Sequence, residues 1–279
     1  MAIRELDSTP SLATLYPKAL VGGVLHKPSD GSLPDTELVR TGVVVDPAHL
    51  AAYNAVCGFR LSDELPATYP HILAFPLQMA LMTEPGFPFP LLGMVHVANR
   101  ITQHRALRLA EPLTMRVRAE NLRAHEKGRQ FDVVSEAWTG DDRVWVDVST
   151  YLRRGSGSGS SRRDQLAPPT PDAIWRVPGD IGRRYAEVSG DRNPIHLHPL
   201  TARLFGFPRA IAHGMWTKAH ALAAFEGRLP EAFTVDVRFK QPVLLPAKAG
   251  FTTWSVGDGW AFELWSKSKP HLEGTISSL

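Results

Sequence analysis

The stretch from Tyr185 to Met215 reads YAEVSGDRNPIHLHPLTARLFGFPRAIAHGM, and it carries the most information about fold and chemistry in the chain. Within six residues it places an acid, Asp191, an amide, Asn193, and an imidazole, His196. Pro194 lies among them, and a proline inside a helix removes a backbone hydrogen bond and kinks or breaks the helix. We therefore expect a loop that gathers these polar side chains in one place.

His213 and Gly214 follow further along and open an alanine-rich, apolar segment from Met215 to Phe225. This composition predicts a buried helix that begins near Gly214. The first N–H groups of a helix have no acceptor within the helix. A carboxylate, an imidazole and a helix N-terminus are components of proton transfer beside a developing oxyanion. The stretch therefore indicates an active site.

Bulk composition sets limits on the class of protein. The 279 residues are 43% hydrophobic and 21% charged, and 31 basic against 28 acidic side chains give a formal net charge of +3. Such a chain is typical of a globular protein with a sizeable core, and it gives little support to nucleic-acid binding. Cys57 is the one cysteine, which excludes an intramolecular disulfide. Together with the lack of a signal-peptide or spanning pattern, this predicts a cytoplasmic protein with no membrane span.

Local signals predict several elements of the first half. Asp46 and Pro47 are typical of an N-cap and first helical position, and Gly58 of a helix end, so we expect a helix over Ala48 to Val56. A short strand is expected near Leu20 to Leu25. Because Pro66, Pro70 and Pro76 should prevent long helices, only a short helix is expected over Leu77 to Met82.

Alternating apolar residues predict antiparallel strands in both halves. They cover residues 94–101, 115–119, 131–138 and 144–152, and then 235–239, 251–256, 260–265 and 272–276. Between the two sets, GSGSGSSRRD at 155–164 has the composition of a flexible linker. We therefore predict a first domain over 1–154, a linker over 155–164 and a second domain over 165–279.

The two halves contain matching short sequence motifs. Tyr53 to Phe59 and Tyr185 to Asp191 share Tyr, Val and Gly at equal spacing, displaced by 185 − 53 = 132 positions. This predicts a duplicated domain, although a chance match of short words is the alternative. Phe59 stands where the second half has Asp191, and Gln78 where it has Gly214. We therefore interpret the first half as a non-catalytic scaffold that shapes a ligand cavity, and the second as the chemical half.

The words Y-A-x-x-S-G-D-x-N-P-I-H and I-A-H-G-M closely resemble the signature of MaoC-like (R)-specific enoyl-thioester hydratases and 3-hydroxyacyl-thioester dehydratases. The resemblance implies an α+β double hot-dog: two curled antiparallel sheets, each wrapped around a central helix. It also implies that Asp191 and His196 form the catalytic pair and that Gly214 supplies an oxyanion site. The alternative is that Asp191 only caps a turn and His196 is an ordinary buried histidine. One departure is His198, where the family often has aspartate.

Further residues complete the predicted site. Supporting roles are assigned to Ser189, Asn193 and His213, and substrate contacts to Tyr185, Arg192, Arg209 and Lys240. Solvated surface charge is the alternative for each basic residue. The substrate would be an acyl-coenzyme A or acyl-carrier-protein thioester in fatty acyl metabolism, with no separate cofactor. Paired units could make either a monomeric pseudo-dimer or a homodimer.

The sequence is also compatible with other functions. His196 and His198 form a His-x-His pair, but prolines bracket it and no third ligand has a recognised spacing, so no metal is expected. A hot-dog acyl-thioesterase would use Asp191 to activate water toward the carbonyl carbon. A non-catalytic acyl-binding subunit is the third possibility, and the intact Asp191 and His196 argue against it.

Overall fold

The structure is a computed structural model that describes residues 1–25, 31–91, 93–155 and 167–279. Residues 156–164 of the predicted linker lie outside these ranges. The domain boundaries predicted from the linker therefore stay a prediction.

Helices and strands follow one another in a similar order in the two halves, with consecutive helices before consecutive strands. The first half contains β1 (Ala2–Glu5), α1 (Leu12–Leu25), β2 (Thr36–Val43), α2 (Pro47–Cys57), α3 (Tyr69–Met82), β3 (Met94–Gln103), β4 (Leu113–His125), β5 (Gly128–Thr139) and β6 (Asp142–Arg154). The second contains β7 (Ala173–Val177), α4 (Ile181–Ser189), α5 (Pro194–Leu197), α6 (Pro199–Leu204), α7 (Gly214–Ala223), β8 (Phe233–Phe239), β9 (Ala247–Val256), β10 (Gly259–Ser266) and β11 (Lys269–Ser278).

Sheet topology confirms the predicted duplication. The first half has the strand order β2-β4-β5-β6-β3 and the second has β7-β9-β10-β11-β8, which is the same order built from equivalent strands. β3 and β8 pair antiparallel, with Ile101 opposite Val235, at the seam between the halves. Through this pairing the two curled sheets join edge to edge into one continuous sheet. In addition, β1 pairs parallel with β2.

A helix lies at the centre of each half. α3 packs on β4 and β5, and most of its side chains are buried. In α7, the side chains of Met215, Ala219 and Leu222 are buried together with polar Thr217 and Lys218. A helix that is buried on most sides is what a surrounding sheet requires. No helix in the described ranges is long and apolar enough to cross a membrane.

Local capping residues set the ends of helices α2 and α4. The Asp46 carboxylate accepts a hydrogen bond from the Ala48 N–H at 2.9 Å, and Gly58 ends α2 in the left-handed conformation, as predicted. Gly190 ends α4 in the same way, with φ of 73°. Glycine adopts this conformation without the steric cost of a Cβ atom. Asp191 is therefore the first residue of the loop after α4.

Two expectations about helices are wrong. Leu20 to Leu25 belong to the helix α1 rather than to a strand. Pro76 lies inside α3, so the expected short helix over Leu77 to Met82 is the second half of a 14-residue one. A proline removes one backbone hydrogen bond from a helix. In α3, burial of apolar side chains on nearly every turn outweighs this local loss.

Candidate active site

The loop after α4 is held by its own polar groups. The Ser189 hydroxyl accepts a hydrogen bond from the Asp191 N–H at 3.1 Å. The Asn193 N–H donates to Asp191 Oδ1 at 3.1 Å, and Asn193 Oδ1 accepts from the Ile195 N–H at 3.4 Å as the N-cap of α5. Ser189 and Asn193 therefore fix the backbone on either side of the Asp191 carboxylate.

His196 lies in α5 with its side chain buried. Its Nδ1 is 2.8 Å from the carbonyl oxygen of Ile211. A carbonyl can only accept, so Nδ1 carries the proton and Nε2 has the lone pair. Within the described ranges, no hydrogen bond engages Nε2. His196 therefore offers an acceptor to a ligand.

His213 lies against His196. The ring centroids are 3.6 Å apart and the rings are stacked with an interplanar angle of 25°. His213 Nε2 donates to the Asp191 carbonyl oxygen at 2.9 Å, which links the start of α7 to the loop. Its Nδ1 is buried, and none of the described residues bonds to it.

Burial determines the charge of these groups. Burial lowers the pKa of His213 to about 3, with His196 acting in the same direction and Asp191 against it. Burial also lowers the pKa of His196, although Asp191 opposes this. For Asp191, burial alone would raise the pKa, but the adjoining imidazoles and two hydrogen-bond donors outweigh it, so the pKa lies below its ordinary value. At neutral pH the site holds two neutral imidazoles and one carboxylate.

Within the described ranges, one group of side chains could hold a metal ion. It consists of Asp191, His196 and His213, and one ligand atom of each lies within 4.8 Å of the others. Zinc takes imidazole nitrogens at about 2.0–2.1 Å, along lone pairs in the ring planes. The two rings are nearly parallel, so their lone pairs do not converge on one point. This geometry disfavours a metal ion shared by the two imidazoles. That the protein binds no metal remains a prediction from the sequence.

Gly214 is the first residue of α7, with His213 as the N-cap. Gly214 is partly exposed, and its N–H has no acceptor within the helix. A Cβ atom at this position would lie 3.0 Å from the ring of Phe239. Gln78, its predicted counterpart, lies in the middle of α3, where the N–H is used by the helix. The two halves therefore differ at this position.

Tyr16 is a contact of Asp191 that the sequence did not indicate. Its hydroxyl lies 3.2 Å from Asp191 Oδ1 and 3.0 Å from the Gly190 carbonyl oxygen, and accepts from the Arg192 N–H at 2.5 Å. Tyr16 belongs to α1, about 175 residues before the loop. No local pattern could connect residues at this separation.

An apolar cavity of about 350 Å³ reaches the Asp191 loop. Residues 190–194 form its polar end. Its apolar walls come from α1, α3 and the adjoining strands of the first half, and include Leu12, Ala19, Phe75, Met79, Met94 and Tyr151. The cavity therefore lies between the two halves and opens onto the carboxylate.

The remaining predicted residues are dispersed. Tyr185 is buried, with its ring centroid 4.9 Å from that of His213. Arg192 is exposed and lines the cavity. Arg209 and Lys240 are exposed and do not line it; Lys240 pairs with Glu273 at 2.5 Å. His198, the departure from the family signature, accepts from the Leu200 N–H at 3.2 Å and caps α6.

Comparison with known proteins identifies the family. The family model described as "MaoC like domain" matches residues 169–271. Over 269 residues the chain is 42% identical to 3-hydroxyacyl-thioester dehydratase X of Mycobacterium tuberculosis, covering 94% of this chain and 96% of that protein.

Solved structures agree with this assignment. The crystal structure of HtdX of Mycobacterium tuberculosis matches with a TM-score of 0.79 and 42% identity, over 87% of this chain and 100% of that chain. A double hot-dog protein of the same organism matches with a TM-score of 0.54 and 14% identity, over 90% of this chain and 97% of that chain, which supports the fold alone. The fold is a double hot-dog, and the chain belongs to the MaoC-like dehydratase family.

Proposed function

We propose that this protein is a (3R)-hydroxyacyl-thioester dehydratase that also works in reverse as an (R)-specific 2-enoyl-thioester hydratase. The observation that carries the proposal is the proximity of two acceptors with no hydrogen-bond donor among the described residues, Asp191 Oδ2 and His196 Nε2, at the loop 190–194 that lines one end of an apolar cavity. The relatives that share most of this chain's length support the same activity.

Water would be held by both acceptors. One ligand atom each from Asp191 and His196 lie within 4.8 Å, and a single oxygen can reach two atoms at that separation through hydrogen bonds of about 2.8 Å. A water molecule has two hydrogens, one for each acceptor. Both groups are unprotonated at neutral pH, as this arrangement requires.

The proposed reaction transfers one proton through His196. The water oxygen bonds to C3 of the enoyl thioester, its proton passes to Nε2, and the imidazolium returns that proton to C2. Asp191 holds the second hydrogen of the water and stabilises the imidazolium. Dehydration runs the same steps backwards, so water is added or lost on one face of the substrate.

Charge that develops on the thioester oxygen needs a donor. We assign this role to the Gly214 N–H, because it begins α7 next to His213, whose side chain contacts the Asp191 backbone. The partial positive charge at a helix N-terminus favours an oxyanion there. Donors of this kind typically contribute about 10²- to 10³-fold in turnover.

The cavity suits an apolar acyl chain, with the thioester next to residues 190–194. Coenzyme A and acyl carrier protein both present a phosphate-bearing pantetheine arm, and Arg192 at the cavity can meet that arm from either carrier. Arg209 and Lys240 would contact more distant parts of the carrier. A cytoplasmic location and the lack of a separate cofactor belong to this proposal. Both a monomer and a homodimer are compatible with the β3–β8 seam.

An assay of enoyl-coenzyme A hydration tests the proposal. The loss of the enoyl absorbance measures turnover. We expect Asp191→Asn and His196→Ala each to lower turnover by about 10²- to 10⁴-fold, the usual contribution of a general acid or base. His198→Asn is the matched control, because it removes an imidazole two residues away and keeps an N-cap acceptor.

A thiol reagent in the same reaction separates hydration from thioester hydrolysis. Free thiol released at the rate of enoyl loss would indicate a thioesterase. Unchanged turnover in both variants would exclude the pair. Binding of the acyl thioester without any turnover would indicate an acyl-binding subunit.

A further inference from the structure

Helix α1 lies outside the two repeated sets of strands, yet it contacts the catalytic loop. It precedes β2, and no helix of the second half occupies the equivalent place before β7 in the described ranges. A Cβ atom on Gly190 would lie 2.4 Å from Leu12 Cδ1, so α1 packs directly on the turn before Asp191. An element added to the fold thus forms part of the site.

The hydrogen bonds of Tyr16 have a defined direction. Its oxygen accepts from the Arg192 N–H, so its single proton is directed toward the Gly190 carbonyl and Asp191 Oδ1, at 3.0 and 3.2 Å. Burial raises the pKa of Tyr16 far above its ordinary value, with the Asp191 charge acting in the same direction. The hydroxyl therefore stays protonated and remains a donor.

The two carboxylate oxygens of Asp191 differ as a result. Oδ1 faces two donors, the Tyr16 hydroxyl and the Asn193 N–H. The other oxygen, Oδ2, lies 3.7 Å from His213 Nε2, and this distance is too long for a hydrogen bond. Oδ1 is thus fixed by the protein, whereas none of the described residues donates to Oδ2, which can accept from water or a substrate hydroxyl.

We infer that Tyr16 is a positioning residue for Asp191: its hydroxyl fixes the carboxylate rotamer so that Oδ2 faces the reacting water. This inference rests on the proposed function. It assigns a role in the reaction to a residue of the N-terminal half, which the sequence predicted to be non-catalytic. The ring of Tyr16 also lines the cavity, so the same residue contacts both the acyl site and the catalytic loop.

The variant Tyr16→Phe keeps the ring and removes only the hydroxyl. A hydrogen bond to a charged group is strong enough that its loss should lower kcat by about 10- to 100-fold. KM should change less than about threefold, because the apolar wall is retained. The control is Thr14→Ala, which removes from the same helix a hydroxyl that bonds to the Ser11 carbonyl. It should keep wild-type kcat.

A second measurement does not depend on turnover. The pKa of the Asp191 carboxyl can be followed by ¹³C NMR, with its resonance identified by its absence in Asp191→Asn. Loss of a donor to the charged form should raise this pKa in Tyr16→Phe and leave it unchanged in Thr14→Ala.

The outcomes distinguish the inference from the proposed function. An unchanged kcat, or an unchanged Asp191 pKa, in Tyr16→Phe would overturn the inference while wild-type hydration stood. A fall in kcat/KM caused only by a higher KM would also overturn it. That result would show that Tyr16 acts only as part of the cavity wall. Absence of hydration by the wild type would overturn the proposed function, and a raised Asp191 pKa would then still support the Tyr16 contact.

Discussion

At the scale of single residues, burial gives the three polar groups their states. His213 and His196 stack face to face, and each uses one nitrogen to donate to a backbone carbonyl. A second proton on either ring would bury a charge, which is unfavourable in this environment. Asp191 has donors on one oxygen and keeps its charge. His196 is thereby left as a neutral acceptor next to a carboxylate.

The pH dependence of turnover should reflect these states. Both acceptors must be unprotonated to hold water, and the pKa values of Asp191 and His196 lie below their ordinary values. Activity is therefore lost only as pH falls through these lowered values. We expect kcat/KM for hydration to stay level down through the ordinary histidine value of about 6.5, with its acid limb at lower pH. A limb at or above that value would show that His196 titrates like an exposed histidine.

At the scale of elements, capping and loop signals within a few residues predicted the structure, whereas contacts between residues far apart in the chain were not predicted. Asp46 and Gly58 fixed the ends of α2, because a cap bonds to backbone a few residues away. Asp191 and His196 are five positions apart, so their meeting could also be expected. α3 continues through Pro76 because of tertiary burial, which no local pattern records. Tyr16 reaches Asp191 only after the whole chain has folded.

Gly182 illustrates an element contact that also escaped prediction. It lies in α4, and a Cβ atom there would be 2.1 Å from the carbonyl oxygen of His196. The two helices can approach this closely only because residue 182 has no side chain. α4 thereby sets the position of α5 and, with it, the imidazole of His196.

The variant Gly182→Ala should therefore impair catalysis. Alanine normally stabilises a helix relative to glycine by about 0.5–1 kcal/mol, but here its methyl group must displace the His196 backbone. A shift of about 1 Å at a catalytic group can cost about 10²-fold in rate, and we expect a loss of that order in kcat. Gly86→Ala is the control, because a Cβ there meets nothing within 4 Å. Wild-type kcat in Gly182→Ala would show that α5 tolerates displacement.

At the scale of the whole molecule, the duplicated sheet makes the two halves one body. β3 and β8 pair directly, and polar side chains cross beneath this seam. The amino group of Lys218, from α7, donates to the carbonyl oxygen of Asn99 on β3 at 3.1 Å and to that of Val235 on β8 at 3.2 Å. The Asn99 amide donates in turn to Asp147 at 2.9 Å. The repeated sequence motifs predicted two halves. They did not predict this network, because each of its members comes from a different element.

Removal of the Lys218 amino group should destabilise the whole fold. Burial lowers the pKa of the Lys218 amino group to about 7, and Lys218→Met keeps much of the side-chain volume while it removes this shared donor of two buried carbonyl groups. Loss of a donor from buried polar groups typically costs about 1–3 kcal/mol in the free energy of unfolding. Urea denaturation followed by circular dichroism measures this change. Lys127→Met is the control, because Lys127 forms an exposed ion pair with Glu126 and should change stability by less than about 1 kcal/mol. Equal stability of Lys218→Met and the wild type would show that strand pairing at β3 and β8 holds the halves together without this network.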